Sequence, residues 1–219
     1  MPSGYYLESD HMKIDRLVVG PLLANCYIVT LKGLYIIIDP GADAEKIIEY
    51  IDSSDCKPDF ILNTHGHFDH IGAVPGLIDR YDIPFFIDPA DEEIIRDPFK
   101  NGSSIFGENN LSLKTYNLIG KADIEYFNKN GIEIINTPGH SPGCIVIKIG
   151  GYLFTGDLLF KGSIGRTDLA GGSIHDMKES LLKIRDLDGS LVVYPGHGPG
   201  TDLEYEKKNN YYLGDDVLL

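Results

Sequence analysis

Phe60-Ile61-Leu62-Asn63-Thr64-His65-Gly66-His67-Phe68-Asp69-His70 runs from an apolar strand straight into three imidazoles and a carboxylate within six residues. Imidazole nitrogen and carboxylate oxygen suit borderline divalent metals such as zinc. Alternate residues on an irregular loop after a strand can face one or two neighbouring ions. A solvated polar loop with incidental histidines is the competing reading, and the positions of the remaining histidines decide against it.

Three further apolar strands end in the same manner. Asn136 leads into Pro138-Gly139-His140, Thr155 into Gly156-Asp157, and Tyr194 into Pro195-Gly196-His197. Five of the seven histidines thus fall at strand ends, which are rigid places for ligating groups. Glycines beside His140, Asp157 and His197 permit close backbone approach. His175 falls in the first turn of an expected helix and is read as structural or solvent-exposed.

The ligand count exceeds what one tetrahedral ion can use. The grouping expected is His65, His67 and His140 on one ion and Asp69, His70 and His197 on the other, with Asp157 bridging. Two cations lower the pKa of a bridging water so that hydroxide exists near neutral pH, and Asp69 and Asp157 are the residues assigned to catalysis. Zinc is the first choice of metal, with iron and manganese accepted by the same donors. A site that merely braces a fold would be closed by four protein ligands.

Around these loops the chain alternates apolar runs with glycine punctuation. Strands are expected at Ile14–Val19, Cys26–Thr30, Leu34–Ile38, Phe60–Asn63 and Phe85–Ile87, and again at Ile132–Asn136, Cys144–Ile149, Tyr152–Thr155 and Leu191–Tyr194. Gly150-Gly151 signals a hairpin. Helical patterns cover Ala44–Ile51 with Asp43 as cap, Val74–Tyr81, Asp88–Arg96, and Ile174 to Arg185 with Ser173 as N-cap. Two sheets packed face to face with helices outside account for this order. Asp97 to Lys129 is weakly periodic and reads equally as a surface connection or as a cover over the site carrying Phe99 and Phe106.

A chain of 219 residues with 42% hydrophobic content supports a sizeable core. Met1 to His11 is read as an extension outside the domain, of the kind a cloning vector leaves, and residues 12–219 as one domain. The net charge of −14 argues against a nucleic-acid partner. No apolar run approaches a membrane span and no secretory signal opens the chain, so a cytoplasmic, membrane-free protein is expected. Cys26, Cys56 and Cys144 form no CxxC pair and are read as core thiols.

In their order, His65, His67, Asp69, His70, His140, Asp157 and His197 resemble the HxHxDH loop, later His, bridging Asp and final His of the metallo-β-lactamase superfamily. The resemblance extends from Met12 onward. It implies an α/β (α+β) fold, an αββα sandwich of two mixed β-sheets flanked by helices, with the site at one edge. Phe154 to Phe160, followed by Gly162-Ser163-Ile164-Gly165-Arg166-Thr167-Asp168, is similar to glyoxalase II-like (hydroxyacylglutathione hydrolase-like) enzymes, nearest to their short single-domain branch.

That likeness implies a metal-dependent hydrolase of a small-molecule thioester, glutathione-derived in the family, with bridging hydroxide as nucleophile. Arg166 takes the place of a basic residue that contacts glutathione, and is the expected substrate contact. Asp168 stands where the family has a tyrosine for the same tripeptide. The additional C-terminal helical domain of the larger enzymes is missing from the short stretch after His197.

The alternative implied by Pro138-Gly139-His140-Ser141-Pro142-Gly143-Cys144 and Gly165-Arg166-Thr167-Asp168 is an iron-dependent persulfide dioxygenase, with His65, His140 and Asp157 as ligands. Ile164 replaces the cysteine usual there. A lactonase would use the same hydroxide, whereas a β-lactam offers a poorer leaving group. A tRNA-processing nuclease disagrees with the charge, and a flavodiiron enzyme disagrees with His67.

Overall fold

Leu34–Ile38 shows how the layers arise. Tyr35 and Ile37 pack against helices on one side of a sheet, while Ile36 and Ile38 face a second sheet on the other, as the two-residue period of a strand requires. A strand buried on both faces reads as a continuous apolar run.

The computed structural model describes residues 12–54, 57–106 and 110–214. The expectations for Met1 to His11 and for Cys56 lie outside these residues. In chain order the elements are β1 (Lys13–Val19), β2 (Ala24–Leu31), β3 (Leu34–Ile38), α1 (Ala44–Asp52), β4 (Phe60–Leu62), α2 (Phe68–Ile71), α3 (Val74–Tyr81), β5 (Phe85–Ile87), α4 (Glu92–Arg96), α5 (Ser103–Phe106), β6 (Asn117–Leu118) and α6 (Lys121–Lys129). The second half adds β7 (Ile132–Asn136), β8 (Ile145–Ile149), β9 (Tyr152–Gly156), β10 (Leu159–Phe160), β11 (Ser163–Ile164), α7 (Ile174–Arg185), β12 (Val192–Pro195), β13 (Thr201–Asp202) and α8 (Leu203–Asn209).

One sheet runs β1-β2-β3-β4-β5-β6, and the other β13-β12-β9-β8-β7. Both are mixed: β3 to β6 pair in parallel and β9 pairs in parallel with β12, while the remaining pairs are antiparallel. Apolar residues form three layers. Ile47 and Ile51 of α1 and Leu77 of α3 cover the first sheet; Val29, Ile36, Leu62, Ile147 and Phe154 fill the space between sheets; Met177, Leu181 and Ile184 of α7 cover the second. This is the expected αββα sandwich. Its first strands are joined by the two-residue hairpin Lys32-Gly33, both at positive φ. Gly150-Gly151 makes the expected hairpin, between β8 and β9.

Two local expectations are corrected. Asp43 does not cap α1 with its side chain: it is left-handed at φ 54°, and its carboxylate accepts from the Gly20 N–H at 2.9 Å, tying β1 to the helix. The 97–129 segment is more than a connection, since it contains α5, β6 and α6, and Phe127 of α6 is buried between the sheets. The stretch after His197 forms α8, whose buried Glu206 accepts from Gly162 N, Thr201 Oγ1 and Asn210 Nδ2. By contrast Ser173 caps α7 as expected, accepting from Asp176 N at 3.2 Å. No described helix is long and apolar enough to cross a membrane.

Candidate metal centre

Each expected ligand sits at or just past a strand end: His65 to His70 after β4, His140 between β7 and β8, Asp157 after β9 and His197 after β12. The parallel pair β9–β12 sets Asp157 beside His197. Gly196 then lets the chain pass close, since a Cβ there would lie 2.3 Å from Asp157 Oδ1 and 2.7 Å from His70 Cε1. Gly156, at φ 47°, likewise passes Thr64, where a Cβ would come within 2.2 Å of its Oγ1.

Two of the donor groups brought together match the expected grouping. His65, His67 and His140 form one, wholly buried, and Asp69, His70 and His197 the other, half-buried; within each, the donor atoms lie within 4.8 Å of one another. Asp157 stands between them, with Oδ1 3.3 Å from His70 Nε2 and Oδ2 3.5 Å from His140 Nε2 and 3.6 Å from His197 Nε2. Asp69 Oδ2 lies 3.2 Å from His197 Nε2. His175 is exposed and far along the chain from these loops.

Oxygen acceptors fix the imidazole tautomers. His140 Nδ1 donates to the Arg166 carbonyl at 2.7 Å, and His197 Nδ1 to the Leu22 carbonyl at 3.0 Å. His70 Nδ1 faces Asp39 Oδ2 at 3.0 Å. Thr64 gives its hydroxyl hydrogen to the same carboxylate at 2.6 Å, so its oxygen accepts from His65 Nδ1 at 3.1 Å. In all four, Nε2 keeps its lone pair for the centre of the cluster. His67 differs, turning Nδ1 inward, 2.8 Å from His140 Nε2.

Asp39 was not singled out by sequence reasoning. Geometry alone would admit it with His65 and His70 as a third ligand group. Its oxygens are instead occupied by Thr64 N at 2.7 Å, Thr64 Oγ1 and His70 Nδ1, which makes it an orienting group behind the ligands. Its signal in the sequence is the Asp39-Pro40-Gly41 turn after a buried strand. Asp91 was also missed. Fully buried, it accepts from Gly66 N at 2.8 Å, Ser141 Oγ at 2.7 Å and Gly143 N at 2.7 Å, locking the first histidine loop to the His140 loop. Burial pushes its carboxyl above the usual range despite these bonds.

His65 and His67 of one cluster are shifted in the opposite direction to His70 and His197 of the other. Burial and neighbouring imidazoles hold His65 well below the ordinary histidine range, and burial beside His140 takes His67 down to about 3. Burial works the same way on His70, yet the carboxylates of Asp157, Asp69 and Asp39 outweigh it and raise the group. His197 is raised in the same way by Asp69 and Asp157.

Whether ions fit is answered by orphaned atoms. Among the described residues, four buried side-chain polar atoms have no hydrogen-bond partner; His65 Nε2 and Asp157 Oδ1 face the cluster, while His67 Nε2 is the ring nitrogen opposite the inward-turned Nδ1. Each such orphan costs about 1–3 kcal/mol. Divalent cations satisfy donors of this kind, so the residues present fit a dinuclear metal site.

His67, Asp69, His140, Asp157 and His197 form the floor of a cavity of about 780 Å³. Arg166 lines it, but its guanidinium is spoken for: Nε donates to Asp168 Oδ1 at 2.6 Å and Nη2 to Asp168 Oδ2 at 2.7 Å. Phe99 and Phe106 line it too, so the 97–106 stretch does flank the opening.

Comparison with known proteins agrees with this geometry. Residues 19–197 match the family model described as the metallo-beta-lactamase superfamily. The hydroxyacylglutathione hydrolase GloC of Haemophilus influenzae is 32% identical over 92% of this chain and 98% of its own. Among solved structures, the BLEG-1 B3 metallo-beta-lactamase superposes with TM-score 0.83 at 33% identity, over 92% of this chain and 99% of that one. TTHA1623 in a di-iron-bound form superposes with TM-score 0.81 at 34% identity, over 91% and 100%.

Proposed function

The chain belongs to the metallo-β-lactamase superfamily, and from that premise we propose that it is a dinuclear metal-dependent hydrolase of acyl thioesters. The observation that carries the reading is the meeting of two donor groups about Asp157, with His65 Nε2 and Asp157 Oδ1 buried and unpartnered among them, beneath a cavity that His67, Asp69, His140, Asp157 and His197 line. We assign His65, His67 and His140 to one ion, Asp69, His70 and His197 to the other, and Asp157 to both. Zinc is the proposed metal, and the di-iron neighbour makes iron the competitor.

Two bound divalent cations would supply hydroxide at neutral pH and polarise the substrate carbonyl. The chain's own part is positional. Asp69, on the cavity wall with its carboxylate beside His197, accepts a hydrogen bond from the attacking water and aims its oxygen at the substrate. Asp157 keeps the two donor groups in register. The Arg166 carbonyl holds His140 in the tautomer that leaves Nε2 free. A thiol of pKa about 8.5 departs as thiolate, so the lack of a dedicated proton donor is consistent with a thioester. The relative GloC, named for hydroxyacylglutathione hydrolysis, supports the same substrate class.

The test joins metal analysis with turnover of S-lactoylglutathione, other acyl thioesters, a lactone, a cephalosporin and glutathione persulfide on one sample. About two ions per chain and hydrolysis of thioesters are expected. Full thioesterase activity in metal-free protein, or turnover confined to the β-lactam or the persulfide, would replace this reading.

A further inference from the structure

The cavity above the cluster has two unlike walls. One is apolar and comes from the first half of the chain: Leu22, Phe68, Phe99, Ile105 and Phe106. The other, from the second half, mixes Arg166 and Asp168 with Phe160, Leu169 and Ala170, which are less exposed than most of the first wall's side chains. Four of the apolar side chains are strongly exposed, at 47% for Leu22, 66% for Phe99, 53% for Ile105 and 54% for Phe106. Large apolar groups clustered at the mouth of a concave site mark what the site receives.

This wall is built. Phe68 N donates to the Asn101 carbonyl at 3.0 Å, attaching the Phe99–Phe106 stretch to the histidine loop. Buried Asn101 donates to the Leu111 carbonyl at 2.8 Å and accepts from Ser103 N at 2.9 Å, while Ser103 Oγ accepts from Leu111 N at 2.9 Å. Gly102, at φ 84°, turns the chain where a Cβ would lie 3.4 Å from the ring of Phe68 and 3.6 Å from that of Phe106. The aromatic residues are therefore set in place while their outer faces remain wet.

The cations near the opening are already paired. Arg166 is held bidentately by Asp168, and Lys100 bonds Glu93. Neither is free to fix the carboxylates of a peptide-like thiol without breaking a pair. The lining is mainly apolar, and its exposed apolar side chains, Leu22, Phe99, Ile105 and Phe106, lie on the first wall.

We propose that the Leu22–Phe68–Phe99–Ile105–Phe106 wall binds the acyl arm of the substrate, and that the enzyme prefers thioesters of apolar acyl groups several carbons long over small hydroxyacyl ones. This rests on the hydrolase reading above. The thiol arm of biological thioesters is long and polar and belongs on the open side, by Arg166 and Asp168. Water oxygen forms the new bond to the acyl carbon, and the carbon–sulfur bond breaks with its electron pair leaving on sulfur. The proton lost by water is taken up by the thiolate or buffer.

The test is kcat/KM on the metal-loaded enzyme for acetyl, butyryl, hexanoyl and lactoyl thioesters, each on glutathione and on uncharged N-acetylcysteamine. In parallel, affinity is measured for the matching ketone analogues, in which CH₂ replaces sulfur. Burial of one methylene corresponds to roughly a fourfold gain, so a rise of about two- to fourfold per added carbon is expected on both carriers. Phe99→Ala combined with Phe106→Ala should flatten that rise, and both residues are exposed enough that the fold does not depend on them. A flat series, or lactoyl exceeding hexanoyl, overturns the inference and leaves the hydrolase reading intact. Chain-dependent ketone affinity without any thioester turnover overturns the hydrolase reading and leaves the apolar wall. Length-independent affinity as well removes both.

Discussion

The ligands supplied by the first half of the molecule and those supplied by the second are held in different ways. His65, His67, Asp69 and His70 come from one short stretch, braced from behind by side chains: Asp39 takes Thr64 and His70, Asn63 donates to the His70 carbonyl at 2.8 Å, and Asp91 takes Gly66. His140 and His197 come from separate strand ends, and backbone carbonyls hold their rings, those of Arg166 and Leu22. Side-chain braces can be deleted one at a time. Backbone braces depend on the path of the chain. A second division cuts across this one: a fully buried donor group, His65, His67 and His140, stands against a half-buried one, Asp69, His70 and His197, in which His197 retains 25% side-chain exposure.

The largest effect should therefore come from His67→Ala. Its ring is one of the three imidazoles of the fully buried group, so one ion is lost and hydrolysis falls by more than about a hundredfold, since outer partners alone are worth 10–100-fold. His197→Ala leaves an exposed gap that water can enter. It should keep the ion held by His65, His67 and His140 and lower occupancy only at the other. Metal content per chain, measured on both variants after identical dialysis, checks the contrast. Equal loss of both ions in the two variants would show that the clusters are not separable.

This division also explains what could be read from the sequence. The Thr64–His70 stretch is contiguous, so its ligands were visible at once, and the strand-end glycines exposed His140, Asp157 and His197. The three apolar layers were legible because Ile36 and Ile37 alternate faces and α7 carries Ser173 as its cap. Asp39 and Asp91 were not legible. Each acts through residues distant in the chain, 25 positions for Asp39 to Thr64 and 50 for Asp91 to Ser141, and nothing local distinguishes a buried acceptor from a turn or surface aspartate. The helix α6 was missed because its pattern is weak: Phe127 is its only fully buried side chain. The pairing of Arg166 with Asp168 was not legible either, because it depends on rotamers and not on spacing alone.

Asp39→Asn tests the side-chain brace without disturbing the backbone. Asparagine tolerates the left-handed conformation that Asp39 adopts at φ 52°, but its amide supplies one acceptor oxygen where Thr64 N, Thr64 Oγ1 and His70 Nδ1 need two. One donor then meets another donor. The ligands themselves remain, so the fold persists while metal affinity drops by about 10–100-fold. A competition titration with a chromophoric chelator measures this. Rescue of turnover by excess metal, with kcat close to the original, separates poor orientation of His70 from a damaged catalyst.

The smallest effect should follow Asn25→Ala, which probes the backbone brace. Asn25 Nδ2 donates to the Pro195 carbonyl at 2.9 Å and the Gly198 carbonyl at 3.0 Å, on either side of His197. Both carbonyls have a second donor: Tyr27 Oη reaches Pro195 at 2.7 Å and Arg16 Nη1 reaches Gly198 at 3.0 Å. The Asn25 N–H to Gly196 carbonyl bond, at 2.7 Å, is untouched by the substitution. Because no acceptor is orphaned, the loss is held to about 1–2 kcal/mol, or a fall of roughly 2–8 °C in melting temperature for a chain of this size. Metal occupancy should change by less than in Asp39→Asn. If Asn25→Ala instead strips an ion as thoroughly as Asp39→Asn does, the His197 loop depends on this one side chain, and the contrast between the two halves collapses.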